Sequence, residues 1–100
     1  MKFLSTRGRA PAVKIDDALV AGLAPDGGLY VPERIPESAV IAVEATLADT
    51  AHRMLAPYFA QSSLRERLAD LCAEAFSFDA PLRPLAGAND FVLDLFHGPT

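Results

Sequence analysis

The sequence predicts an α+β fold: a small sheet of short strands from both ends of the chain, packed against three or four helices. Three observations predict it. Short, largely apolar runs of strand character occupy residues 2–6, 29–31, 81–85 and 91–96, near the two ends. Between them apolar residues recur at helical spacing, as Ala51, Met54, Leu55, Tyr58 and Phe59, and again as Leu68, Leu71, Cys72, Ala75 and Phe76. Glycine and proline punctuate the joins.

Residues 2–6 fit an edge strand that leads into a loop around Arg7, Gly8 and Arg9. Ser5, Thr6, Arg7 and Gly8 offer hydroxyls, a guanidinium fork and backbone amides, all of them donors. The loop is therefore either an anion site or simply an exposed basic turn. Ile15, Leu19, Val20 and Leu23 recur at helical spacing, and Asp16 and Asp17 suit the positive end of a helix. Gly22, Pro25, Asp26, Gly27 and Gly28 then end the helix and make a tight turn. The diglycine tolerates positive φ and close approach by backbone or ligand. Leu29, Tyr30 and Val31 read as a strand stopped by Pro32.

Pro36 suits a helix start, and Val40, Ile41, Val43, Glu44 and Leu47 suggest a helix from Ser38 onward. Asp49 is placed to cap the next helix. Pro57, which lacks an amide and clashes with the preceding turn, should stop that helix near Ala56. Ser63 and Glu66 form a capping box before the third helical stretch. The two helical stripes are expected to make the core. Residues 86–90 read as a hairpin loop into the last strand. That strand carries Phe91, Leu93 and Leu95 on one face and Val92, Asp94 and Phe96 on the other, so it needs cover on both sides. It hands over to His97, Gly98, Pro99 and Thr100, the composition of a functional loop, with no closing helix. We expect the 100 residues to belong to a longer polypeptide.

Composition narrows the function. A chain that is 51% hydrophobic and 22% charged is globular rather than disordered. Its formal charge of −4 and scattered basic residues argue against nucleic acid or an anionic membrane as partner. Cys72 has no second cysteine to pair with and falls in a helical pattern, so a buried, inert thiol is expected. No His or Cys recurs at ligand spacing for a metal, and His52 is expected on a helix surface. No apolar run approaches membrane-spanning length and the first ten residues lack a secretory h-region, so a cytoplasmic protein is expected.

The specific wording lies at the two ends. Ser5-Thr6-Arg7-Gly8 is followed by Ala18-Leu19-Val20-Ala21-Gly22-Leu23, then by APDGGLYVP at 24–32, and at the far end by FHGPT at 96–100. In these segments and their order the chain resembles the threonine synthases. Lys14 departs from the pattern, since the family often carries a helix-capping Ser there, and the middle helices carry no signature. The resemblance implies that residues 1–100 are the N-terminal domain of a fold-type II pyridoxal 5'-phosphate (PLP) enzyme. Residues 91–100 would then start the strand and loop that lead to the cofactor-holding lysine beyond Thr100. The implied parent reaction converts O-phospho-L-homoserine and water to L-threonine and phosphate, with this domain packed on further catalytic domains. Because that substrate carries a phosphate and a carboxylate, Ser5, Thr6, Arg7 and Tyr30 become candidate substrate-binding residues. His97 and Thr100 become candidate cofactor-binding residues. The lysines present are Lys2 and Lys14, outside the motif, so residues 1–100 alone are expected to hold no PLP and to be inactive. Two alternatives stay open: a threonine-synthase-like phospho-lyase acting on another phosphorylated substrate, and a non-enzymatic interaction module.

Overall fold

A computed structural model of the chain describes residues 1–37 and 45–98. Strand β1 (Phe3–Ser5) pairs antiparallel with β2 (Tyr30–Pro32), setting Phe3 opposite Pro32, Leu4 opposite Val31 and Ser5 opposite Tyr30. On its other side Phe3 exchanges backbone hydrogen bonds of 2.8 and 3.0 Å with Val13. β1 is thus flanked on both sides and is not the expected edge strand, because the chain beyond Arg9 folds back along it. Pro32 is itself the last residue of β2, so the strand ends there as expected but includes the proline. The amides of Glu33 and Thr6 donate to the carbonyls of Lys2 and Leu29, both at 2.9 Å, so Pro32 falls at a pair that needs no amide.

Helix α1 (Ile15–Ala21) begins after Lys14, whose side chain makes no capping bond, and ends at Gly22, whose φ is 71°. It buries Ile15 and Ala18 against Phe3, with Met1, Val13, Tyr30, Tyr58 and Phe59 around them. Leu19, Val20 and Leu23 of the expected stripe stay exposed, Val20 at 90%. A two-stranded sheet offers α1 one face, which is not enough to cover both flanks of the helix.

Helix α2 (Leu47–Leu55) starts with a capping box in which the Asp49 amide donates to Thr46 Oγ1 at 3.1 Å and the Thr46 amide to Asp49 Oδ2 at 3.3 Å. Asp49 is therefore the reciprocating partner and Thr46 the cap. As expected from Pro57, the helix gives way to a 3₁₀ turn, Ala56–Phe59. The helix expected from Ser38 falls on residues 38–44, outside those described.

The capping box expected at Ser63 and Glu66 does not form. The Ser62 hydroxyl and the Ser63 amide instead donate to the Asp16 carboxylate of α1, the latter at 2.9 Å, while Glu66 pairs with Arg65 at 3.1 Å. A 3₁₀ turn, Arg65–Arg67, precedes helix α3 (Leu68–Ala75), which has no side-chain cap. α3 packs on α2 and buries Leu68 and Cys72, whereas Leu71 and Phe76 are half-buried and Ala75 is exposed. On α2 and its 3₁₀ turn, Leu55, Tyr58 and Phe59 are half-buried and Met54 is exposed.

Strands β3 (Leu82–Pro84) and β4 (Phe91–Leu93) form the expected hairpin, with Leu82 opposite Leu93 and Pro84 opposite Phe91. Its loop places Asn89 at φ 66°. The α+β class holds, but the strands of the two ends pair locally in two separate antiparallel sheets. β4 is covered on neither face, and Phe96 beyond it is 93% exposed. The radius of gyration, 16.6 Å, exceeds the roughly 13 Å of a compact 100-residue domain. The accessible surface of 7612 Å² likewise exceeds the roughly 5,500 Å² of a self-contained globule of this mass.

Candidate functional site

Two polar clusters occupy the loops, one near each end of the chain. In the first, the turn after α1 is closed by the Gly27 amide donating to the Ala24 carbonyl at 2.8 Å, and Gly27 takes φ 81°. This turn aims Asp26 at the loop that follows β1. Asp26 Oδ1 accepts from Ser5 Oγ at 2.6 Å and from the Gly28 amide at 2.9 Å, and Oδ2 accepts from the Arg9 amide at 2.9 Å. The Asp26 carbonyl accepts from Arg7 Nη1 at 3.1 Å, and Ser5 Oγ accepts from the Arg7 amide at 3.1 Å. The Ser5 hydroxyl above all, then the Gly28 amide, hold the Asp26 carboxyl below the usual range. The donor-rich loop is thus wound around a carboxylate of its own chain. Gly28 is buried there, and a Cβ on it would overlap Ser5 Oγ and stand 3.1 Å from the Arg7 nitrogen.

Thr6 accepts from the Leu29 amide through Oγ1 at 3.0 Å and donates its own amide to the Leu29 carbonyl at 2.9 Å. Tyr30, opposite Ser5, is half-buried against the Phe3 cluster. With Leu19, Leu55, Tyr58 and Phe59 it lines an open apolar groove of about 670 Å³.

The second cluster is built on β3, β4 and the turn beyond them. Asp94 Oδ2 accepts from Arg83 Nε at 2.8 Å, Oδ1 accepts from the Phe96 amide at 3.1 Å, and His97 Nε2 lies 3.5 Å from Oδ2. Arg83 first, then the Phe96 amide, hold the Asp94 carboxyl below the usual range. The His97 side chain, 48% exposed, stands at an open cavity of about 750 Å³. Ser77, Phe78, Asp79, Ala80, Pro81 and Arg83 line the rest of it. Thr100 lies outside the described residues.

The structure therefore gathers Ser5, Thr6, Arg7 and Tyr30 at the β1–β2 end and sets His97 in a different cluster. Among the described residues no hydrogen bond joins the two. Sequence reasoning read Asp26 only as a turn former and Asp94 only as part of a strand face. A signal existed for each: an Asp before a diglycine favours side-chain bonds to its own turn, and Asp94 interrupts an otherwise apolar run three residues before His97. Cys72 is 3% exposed, buried as expected, and burial pushes its thiol up. His52 is half-buried on α2. Among the described residues no group of three His, Cys, Asp or Glu could hold a metal ion, and no helix is long and apolar enough to cross a membrane.

Residues 2–76 match the family described as the threonine synthase N terminus. Along its full length the chain is 42% identical to the threonine synthase of Pseudomonas aeruginosa, of which it spans 23%. A threonine synthase-like 2 protein of Mus musculus is 58% identical over 36 residues, which are 36% of this chain and 8% of that protein. Among solved structures, the PLP-bound threonine synthase of Brucella melitensis agrees at a TM-score of 0.81 and 36% identity, over 99% of this chain and 23% of that one. The chain thus spans under a quarter of the length of these threonine synthases. With β1, β2 and helices α1 to α3 inside the matched residues, the chain belongs to the threonine synthase N-terminus family.

Proposed function

We propose that residues 1–100 are the N-terminal domain of a threonine synthase, and that the whole protein converts O-phospho-L-homoserine and water to L-threonine and phosphate with PLP. The observation that carries this is agreement over 99% of the chain with a PLP-bound threonine synthase at a TM-score of 0.81. When bound, PLP supplies an electron sink for the charge left as protons leave the substrate carbons. Residues of this chain fit the edge of such a site and not its anchor. Lys2 lies beside β1 and Lys14 precedes α1, so neither belongs to the segment that carries His97. His97, with Thr100, is assigned to the cofactor edge, where one imidazole nitrogen accepts and the other donates.

At the other loop, Ser5, Thr6, Arg7 and Tyr30 are assigned to the substrate rim. One guanidinium nitrogen is engaged by the Asp26 carbonyl, and the rest of the fork suits a phosphate or carboxylate. Ser5, held by Asp26, steadies the Arg7 backbone by accepting its amide. The uncovered faces of α1 and β4 are assigned to contact with the catalytic remainder, and a cytoplasmic setting suits a biosynthetic enzyme with a small polar substrate. The short 58% identity to a threonine synthase-like 2 protein favours a second reading, a phospho-lyase acting on a related phosphorylated substrate.

The test is turnover by the full-length protein with PLP. Release of both threonine and phosphate from O-phospho-L-homoserine is expected. Phosphate from other amino-alcohol phosphates, with none from phosphohomoserine, would shift the assignment to the second reading. Turnover of neither would leave the interaction-module reading.

A further inference from the structure

We infer that Asp94 is the positioning residue for His97. This rests on the proposed place of His97 at the cofactor edge and deepens it. The Asp94 side chain is 11% exposed although β4 beside it is open to solvent, so the carboxylate is turned into the hairpin rather than hydrated. Both of its oxygens are fixed from different elements: Oδ2 by Arg83 of β3 at 2.8 Å, and Oδ1 by the amide of Phe96 in the turn at 3.1 Å. A carboxylate held at both ends is a rigid reference for a neighbouring ring. His97 presents Nε2 to that reference at 3.5 Å. Of the two neutral tautomers of the imidazole, a negative partner there favours the one with its proton on Nε2, which leaves Nδ1 as the acceptor for a donor in the adjoining cavity. Arg83 keeps the carboxylate ionised, so the arrangement acts through three side chains and one amide. The bland alternative is that Asp94 merely ends the strand by taking the Phe96 amide, a task an asparagine oxygen performs as well.

Asp94→Asn separates the two, because it retains that oxygen and removes the charge. The readout is the imidazole nitrogen spectrum of the ¹⁵N-labelled chain at alkaline pH, where both rings are neutral, with His52 as internal reference. The expected result is a single His97 form protonated at Nε2 in the unsubstituted chain, lost to a mixture in Asp94→Asn, with His52 unchanged. A mixed His97 pattern already present in the unsubstituted chain overturns the inference, whether or not the variant folds. So does a His97 spectrum that Asp94→Asn leaves unmoved. In the full-length enzyme Asp94→Asn should lower kcat about tenfold while leaving KM nearly unchanged. If His97→Ala leaves turnover intact there, the placement of His97 at the cofactor fails, while the spectrum still decides what Asp94 does.

Discussion

At the level of single residues, carboxylates organise the loops. Asp16, Asp26, Asp49 and Asp94 each accept from a side-chain donor and from a backbone amide: Ser62 and Ser63, Ser5 and Gly28, Thr46 by both groups, Arg83 and Phe96. All four carboxyls are held below the usual range. The unfolded chain therefore binds protons first as pH falls, so this stabilisation is complete above the unfolded value, about 4, and is lost as pH drops through the folded values. Urea midpoints should fall steeply below about pH 4, and Asp16→Asn should flatten that dependence while lowering the midpoint at pH 7. An Asp16→Asn profile parallel to that of the unsubstituted chain would show that the Ser62 contact contributes nothing. Gly28 gives a second test, since a methyl group there meets Ser5 Oγ, Asp26 Oδ1 and the Arg7 amide nitrogen together. Gly28→Ala should cost about 1–3 kcal/mol by denaturant titration, as overpacking does.

At the level of elements, the helices draw their termini from different sources. α2 has a local capping box, and Thr46→Ala should cost about 1 kcal/mol. α3 has none, and its approach is held instead by Asp16 of α1, 46 residues from Ser62 in sequence. Removing Asp16 should therefore loosen the start of α3, visible as faster amide exchange at Ser63 and Leu64, with exchange in α2 unaffected. Cys72 reports on the same helix. Its burial and its raised thiol predict slow reaction with a disulfide reagent in buffer and fast reaction in urea.

At the scale of the molecule, the surplus of surface has a location. Leu95 and Phe96 are exposed beyond β4, and Val20 stands on the open side of α1. Large apolar side chains left in water at this level mark surface that a partner normally covers. The chain by itself should self-associate with rising concentration, and Leu95→Ser combined with Phe96→Ser should reduce the association in sedimentation experiments without lowering the melting temperature. A lower melting temperature would mean that these side chains pack within the chain. With its lysines at positions 2 and 14, the chain alone should release no phosphate from O-phospho-L-homoserine above a protein-free control.

Much that depends on near neighbours was legible in the sequence. Proline at 57 ends α2, glycine at 22 and 27 takes positive φ, residues 86–90 turn the hairpin, and the end segments carry the family, because each is set by backbone sterics or by motif wording within a few positions. The α+β class followed from the same local periods. The tertiary structure alone decided which donors meet which acceptors. The Ser63 capping box lost to Asp16, the anion-like loop closed on Asp26, β1 acquired Val13 as a second neighbour, and the two strand pairs stayed apart. Those outcomes join residues 10 to 47 positions apart. A hydrogen bond across that separation depends on where whole elements pack, and residue spacing carries no record of it.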